Sequence, residues 1–569
     1  MSGVAVYLCH CGQNIAATVD VEEVARTLQE RPGVSVVRHY AYMCSRPGQE
    51  LIRQDLRDRN ASRVVVAACS PRMHEATFRK ALASEGLNPY LLCHVNVREQ
   101  CSWVHADRGE ATRKALSLIS GGVARVVRQE PLSGSEAPVT RRALILGGGP
   151  AGLAAARELA GMGIDFTLVE REPELGGRAR TLGRTFPDGS PVGPWLSGVI
   201  EEVRESERAE ILTGSRLRAL SGPPGNLEAE LETPEGAVVR IVGSVVLATG
   251  YDLYRPDDPA DGRPELGYGA DPRITTQEEL EARLRAGDEL RVDGEPVRSA
   301  VFLQCVGSRD KTAGASHCSR TCCMVSVRQA CELREVNPGL EAQVLYMDLR
   351  AYARGAEEAY EAAGRKGVLF RRGNASEVYR RGARRVVRFE DTLLGEAEEL
   401  EADLVVLACG ARPRADAAEV SRLLKVPRSG DGFFLEAHLK LRPVETASDG
   451  IYLAGACQAP KTLDEAVASG RAAAMKAALP LLKGRLPVDP VVAEIDPERC
   501  AGCGLCQANC PAGAIQPLAH LGRMAVLSAL CKGCGACGAL CPSNAASLRH
   551  YRDGQVLAEL AAALSPAPG

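Results

Sequence analysis

A chain of 569 residues is too long for one hydrophobic core, and at roughly 150 residues per domain it suggests three or four. Apolar residues make up 45% and charged residues 25%, and 69 basic against 72 acidic side chains leave a net charge of −3. That balance is ordinary for a soluble globular protein and gives no reason to expect a nucleic-acid or anionic-membrane partner. No run of 18 uninterrupted apolar residues occurs and residues 1–11 carry no basic-then-apolar leader, so the expectation is a cytoplasmic chain without a transmembrane segment.

The 21 cysteines are numerous, and their spacing decides their reading. Clusters two or three residues apart are the pattern of metal ligands rather than of a secreted disulfide framework. They are distributed by domain.

Residues 1–130 alternate strand and helix. Strands are predicted over 4–8, 35–39, 63–68 and 90–95, with helices from Val21 and near 49–59, 75–83 and 111–118. Asp20 before Val21, with Glu23 three residues on, marks a helix start. Cys9, Cys11, Cys44, Cys69 and Cys101 all fall beyond the carboxyl ends of strands, which line one edge of a parallel sheet. Five such cysteines exceed what packing explains, and soft thiolates select iron–sulfur clusters or zinc. The expectation is a [4Fe–4S] cluster on Cys9, Cys44, Cys69 and Cys101, with Cys11 as substitute; buried structural cysteine is the alternative. Cys93 lies within a strand and is expected to pack. His10, His39, His74, His94 and His105 are expected to be hydrogen-bonded or surface residues.

RRALILGGGPAGLAAARELAGMGIDFTLVERE, from Arg141, reads as strand, glycine turn, helix, strand. Gly147, Gly149 and Gly152, with Pro150 and Ala151 between them, supply the G-x-G-x-x-G fingerprint that brings a pyrophosphate to a helix amino terminus. Glu170 stands 18 residues past Gly152, where an acid accepts ribose hydroxyls. Leu175-Gly176-Gly177-Arg178, VVLATG ending in Thr249-Gly250, and the segment from Gly450 to Ala474 resemble the further cofactor contacts of two-dinucleotide-binding flavoproteins. That resemblance implies FAD; an NAD-only Rossmann domain is the alternative. Many relatives place Asp after the last glycine, whereas this chain reads Gly455-Ala456-Cys457, so the ribityl contact falls to backbone N–H groups or Gln458.

A second half repeats this order over residues 296–410. SAVFLQC is a strand, 324–335 a helix, 342–349 a second strand, and LVVLACG echoes VVLATG. A second fingerprint is missing. QCVGSRDKTAGASHCSRTCC stands in its place and offers Cys305, Cys318, Cys322 and Cys323. A [4Fe–4S] cluster is expected, provided the chain turns sharply at the adjacent pair; zinc, a redox disulfide and buried cysteines are the alternatives.

CAGCGLCQANCP and CKGCGACGALCP give the C-x2-C-x2-C-x3-C-P run of two-cluster ferredoxins twice. By that pattern Cys500, Cys503, Cys506 and Cys541 hold one [4Fe–4S] cluster, and Cys531, Cys534, Cys537 and Cys510 the other. Zinc closes with four ligands and needs no such doubled run.

The spacing C-x12-C-x3-C-C after a strand, in a flavoprotein ending in a double ferredoxin, resembles the A subunit of heterodisulfide reductases. VYLCHCGQNI, CSPRMHEATFR and REQCSWVH extend the likeness to the amino end. The resemblance implies an α/β fold: a thioredoxin reductase-like FAD core over 140–485, between an amino-terminal α/β iron–sulfur domain (1–130) and a two-cluster ferredoxin domain (491–552). It also implies electron transfer in a complex with B- and C-like subunits and a hydrogenase- or formate dehydrogenase-type donor, a homodimeric arrangement, and flavin-based electron bifurcation. Two departures stand out. No cysteine lies between Gly250 and Cys305, so the additional ferredoxin insert of some relatives is absent. Arg328 stands where relatives often carry a Lys near the flavin ring, and is the expected catalytic residue. A self-contained NAD(P)H:ferredoxin-type oxidoreductase and an iron–sulfur scaffold without flavin are the competing readings.

Overall fold

The computed structural model describes residues 3–58, 60–257, 265–287, 290–311 and 315–565. Two compact units form: Met1–Ala137 together with Pro487–Gly569, and Pro138–Leu486. The first and last modules read from sequence therefore share one unit.

In the first unit, four parallel strands stand in the order Val34–Tyr40, Gly3–Cys9, Ala61–Ala68, Leu92–Asn96. The central strands Gly3–Cys9 and Ala61–Ala68 are almost continuously buried, as in a sheet covered on both faces, while the edge strand Val34–Tyr40 is largely exposed. Helix Val21–Gln29 starts as expected, the Asp20 carboxylate accepting from Glu23 N–H at 3.0 Å. Helix Arg108–Val127 runs well past the predicted 111–118, because two glycines let it approach both neighbours. A Cβ on Gly122 would stand 2.5 Å from Val95 Cγ2 on the sheet, and one on Gly121 3.0 Å from Glu559 O on the terminal helix Asp553–Leu564. That terminal helix is pinned by Gln555 Nε2 donating to Arg128 O (2.9 Å) and by the Arg125–Glu559 ion pair (3.3 Å).

The ferredoxin module pairs Ala493–Ile495 with Ala546–Leu548, and Ile515–Leu518 with Arg523–Val526. Short helices Leu505–Ala508 and Ala536–Leu540 lie against each other.

The second unit contains two sheets of the same design. Five parallel strands run in the order Ile451–Leu453, Ser244–Leu247, Arg142–Leu146, Asp165–Val169, Ala209–Leu212. The other sheet begins Ile274–Thr276, Leu404–Cys409, Ser299–Val306, Glu341–Tyr346, Leu369–Arg381, again parallel, and ends in two antiparallel strands. The repeat read from sequence is thus a repeat of topology. Strand Glu341–Tyr346 ends short of the predicted residue 349, and a helix, Ala356–Arg365, then follows before strand Leu369–Arg381. Among the described residues no helix is long and apolar enough to cross a membrane.

Candidate functional site

A cavity of about 570 Å³ opens at the carboxyl edge of the first sheet in the second unit. Gly147, at the strand end, takes φ 109°, and a Cβ there would lie 2.4 Å from Ala248 O. A Cβ on Gly152 would overlap Gly147 O at 1.8 Å, so the glycine is what allows helix Pro150–Gly161 to start directly on the strand. Gly149 borders open space, with nothing nearer to its Cβ position than Gly177 Cα at 4.0 Å. Backbone N–H groups at this helix start face the cavity without a side chain in the way, which is what a pyrophosphate requires.

Glu170 is buried on the cavity wall; its carboxylate accepts from Gly148 N–H (2.6 Å) and Glu172 N–H (2.9 Å). Gly149, Pro150, Ala151, Gly177, Arg178, Thr249, Gly250 and Ala456 also line the cavity. Gly152, Gly176 and Gly455 serve packing and turns behind the wall; Gly455 N–H donates to Ser469 Oγ at 3.1 Å. Gln458 is not part of the wall. Its Nε2 donates to Glu436 Oε2 (2.9 Å) and Pro443 O (3.0 Å), which turns the amide away from the cavity. Size, glycine cradle and acid together fit a dinucleotide.

Arg328 is corrected in the same way. It is buried, but its guanidinium is shared between Glu281 and Glu332 (2.8 Å to the latter) and does not line the cavity. The intervening positions on that wall are Glu281, Gln277 and Gln329. Gln277 Nε2 donates to Cys322 O (2.9 Å) and Ser326 Oγ (2.7 Å), and Gln329 Nε2 donates to Gln277 O (2.9 Å) and Glu281 Oε2 (2.8 Å). Removing one partner of a buried ion pair leaves an uncompensated charge, so Arg328→Met is expected to destabilise by about 3–5 kcal/mol. Thermal unfolding checks this, and Arg328→Lys is expected to recover part of the loss.

The four middle cysteines come together at the end of strand Ser299–Val306. Burial first, then the Cys323 charge, pushes the Cys305 thiol up to about 11, and Cys318 contributes as well. Cys322 likewise feels Cys323, Cys305 and Cys318. An iron cluster here would supply the positive charge that lets such buried thiols ionise. The expected sharp turn lies before the adjacent pair, not within it: Arg320 takes φ 64°, and helix Cys322–Val336 begins at once. Successive helix positions point about 100° apart, as 3.6 residues per turn requires. Cys322 accordingly lines the dinucleotide cavity, while Cys323 Sγ faces Asp348 O at 3.9 Å. The Cys323 thiol is the more acidic of the two, held down by its hydrogen bond from Cys322 with Arg350 and Arg309 nearby.

The loop position itself is filled. Gly307 takes φ 66°, and a Cβ there would sit 2.1 Å from the Tyr254 ring. Tyr254 is buried and occupies the approach that a second pyrophosphate would need.

In the amino-terminal sheet, Cys9, Cys11, Cys44 and Cys69 gather at one edge. The Cys9 thiol is raised by burial and feels Cys11 and Cys44; Cys69, pushed up to about 11 by burial, feels Cys11 and Cys9. Arg98 Nη1 donates to Cys11 Sγ at 3.2 Å, and Met43 N–H to Cys9 Sγ at 3.4 Å. Cys101 does not join them. Its Sγ donates to Ala111 O at 3.1 Å in the apolar core under helix Arg108–Val127, and Cys11 takes its place at the edge. Sequence order favours Cys101 because it follows the fourth strand, but a π-helical turn at Arg98–Ser102 carries it inward. Cys93 packs in the core as expected.

The ferredoxin cysteines surround a small core of Ala493, Ile515, Met524 and Ala546. Cys506 feels Cys500 and Cys503, and Cys537 feels Cys531 and Cys534. The repeats match in detail: Ala514 N–H donates to Cys510 Sγ and Ala545 N–H to Cys541 Sγ, both at 3.2 Å. Gly502 and Gly533 both have left-handed φ, with Cβ positions 2.1 Å from Gly522 O and 2.6 Å from Val491 O. Among the described residues no three ligand side chains converge on a point that holds a single metal ion. A cubane asks for a different arrangement, one thiolate at each of four irons.

Residues 141–470 match the family model for pyridine nucleotide-disulphide oxidoreductases, and residues 493–552 that for 4Fe-4S dicluster domains. The iron-sulfur A subunit of a CoB–CoM heterodisulfide reductase from Methanopyrus kandleri is 38% identical, over 92% of this chain and 92% of its own length. The A subunit of the H2:CoB-CoM heterodisulfide,ferredoxin reductase of Methanothermobacter marburgensis is 36% identical over 99% and 97%. That second alignment runs to 647 positions where this chain has 569 residues, so the relative carries sequence that this chain lacks. Among solved structures, Lactococcus lactis thioredoxin reductase covers 60% of this chain and 100% of its own at 17% identity and a TM-score of 0.42. With FAD-type and dicluster modules matched and relatives aligned over nearly the full length, the chain is an oxidoreductase that belongs to the family of heterodisulfide reductase A subunits.

Proposed function

We propose that this chain passes electrons between its ferredoxin-type clusters and FAD as one component of a heterodisulfide reductase-like complex. The observation that carries this reading is that Cys322, one of the four middle cysteines, lines the dinucleotide cavity, so two redox sites share a wall. Bound FAD would supply one- and two-electron chemistry, and each [4Fe–4S] cluster a single electron. The chain's own task is to hold and tune them. The glycine loop from Gly147 to Gly152 would take the pyrophosphate, and Glu170 the ribose. Cys305, Cys318, Cys322 and Cys323 would hold one cluster, and Cys9, Cys11, Cys44 and Cys69 another. The carboxyl-terminal pair would use Cys500, Cys503, Cys506 and Cys541, and Cys531, Cys534, Cys537 and Cys510.

Relatives are named for H2 or H2/formate as donor and for heterodisulfide and ferredoxin as acceptors. By analogy, B- and C-like subunits, a hydrogenase- or formate dehydrogenase-type donor, a homodimeric arrangement and division of an electron pair between two acceptors belong to this reading. A cytoplasmic location and no nucleic-acid partner belong to the same reading, in keeping with the balanced charge. Anaerobic iron analysis of the full chain is expected to give about 16 irons. Cys11→Ala is expected to lose about four of them and Cys101→Ala none; equal loss from both would overturn the amino-terminal ligand set.

A further inference from the structure

Lys461 lies on the cavity wall with no direct carboxylate pair among the described residues. It follows Pro460 and immediately precedes Thr462, the cap of the closing helix Leu463–Lys483, where Thr462 and Glu465 form a reciprocal capping box. The backbone is therefore fixed, and the side chain is directed along the cavity rather than into solvent. Its Nζ donates to Gln458 Oε1 at 3.0 Å, a neutral amide already oriented by Glu436 and Pro443.

The nearby acids are engaged elsewhere. Glu465 pairs with Arg320 at 2.9 Å and accepts from Thr462 N–H at 3.0 Å, and Glu436 holds Gln458. Among the described residues Lys461 has no carboxylate partner. Burial lowers its pKa despite the opposing charges of Glu465 and Glu436, neither of which pairs with it directly. A half-buried cation with no direct ion pair leaves charge available to a ligand that brings negative charge into the cavity. The amino terminus of the closing helix adds its dipole at the same place.

The rest of the wall says which part of the ligand meets this charge. The glycine loop takes the pyrophosphate at the start of Pro150–Gly161, and Glu170 marks the adenosine side. Gln277, Thr321, Cys322, Gln329 and Lys461 stand on the remaining end, which is left for the flavin ring. Arg320, whose charge Lys461 feels, donates its backbone N–H to Cys318 Sγ at 3.3 Å, so this end also borders the middle cysteines.

We propose that Lys461 is the fixed cation facing the flavin ring and that it sets the flavin potential by favouring the reduced, anionic ring over the oxidised, neutral one. The inference rests on the reading that the cavity holds FAD. A cation raises the potential because it binds the more negative redox state more strongly.

The test uses full-length holoprotein, purified anaerobically with FAD and clusters, with Lys461→Gln and Lys461→Arg beside wild type. Lys461→Gln is expected to keep FAD and all cluster signals while its affinity for reduced over oxidised flavin falls about 10- to 100-fold. For this two-electron couple that is a midpoint lowered by about 30–60 mV. Lys461→Arg is expected to restore most of the shift. A Lys461→Gln protein with bound FAD and an unchanged midpoint would overturn the proposal, as would loss of FAD with no shift in the fraction that remains, which marks a pyrophosphate contact. If Lys461→Gln fails to fold, Lys461→Met is titrated under the same two criteria. Wild type that takes up no FAD would sink the underlying reading instead, which keeps the two failures apart.

Discussion

Replacing Cys322 and Cys323 together by Ser is expected to remove one cluster, lowering iron by about four per chain and abolishing one EPR signal, while FAD stays bound. The separation follows from how the wall is built. FAD would be held by the glycine loop, Glu170 and the segment ending at Ala456, all from the first half of the repeat. The second half contributes Ser319, Thr321, Cys322, Val325 and Gln329, and the Cys322 carbonyl is held independently by Gln277. Serine keeps that carbonyl, the helix start and nearly the same volume, so the cavity persists. Two of four thiolates are lost, and with them the grip on a cubane. An unchanged iron content and spectrum would contradict the middle-cluster assignment. Loss of FAD together with the cluster would show the two sites to be one structural unit.

Gly152→Ala is expected to abolish FAD binding and to lower the stability of the second unit by about 1–3 kcal/mol, the usual cost of forcing added volume into a packed site. The new Cβ would fall 1.8 Å from Gly147 O, so either the helix lifts from the strand or the glycine turn opens. Both movements displace the N–H groups that would meet the pyrophosphate. Gly161→Ala in the same helix meets nothing within 4 Å and is the matched control. It is expected to keep FAD and to gain a few tenths to ~1 kcal/mol from helix propensity. Flavin-to-protein ratio and thermal unfolding read both outcomes.

Much of this is legible in the sequence, for reasons that differ by site. The glycine fingerprint and the ferredoxin runs are local: spacing along the chain determines where backbone N–H groups and thiolates can stand, so residues 147–152 and 500–541 can be read directly. The duplicated core is legible because buried parallel strands such as LVVLACG and VVLATG repeat their composition along with their topology. Non-local placement is not. Cys11 and Cys101 both follow strand ends, and the inward π-helical turn at Arg98–Ser102 is what separates them. Position in the helix suggests the flavin for Arg328, but helix geometry puts Gln329 and Val325 on the cavity side and leaves Arg328 to Glu281 and Glu332. Lys461 escapes a motif-based reading although a signal exists: the Thr-x-x-Glu box at Thr462–Glu465 marks a helix start, and the preceding residue stands at its mouth. The terminal helix Asp553–Leu564 escapes it because its anchor is a pair of glycines more than 400 positions away in helix Arg108–Val127.

Four cysteines and the Tyr254 ring stand where a nicotinamide loop would, so electrons are expected to reach the flavin through clusters and not as hydride. Anaerobic stopped-flow absorbance at 450 nm tests it most directly, with the holoprotein mixed in turn with NADH, NADPH and a chemically reduced two-cluster ferredoxin. The expected result is rapid bleaching by reduced ferredoxin and none by either nucleotide. Rapid bleaching by NADH or NADPH, with ferredoxin inert, would contradict the account.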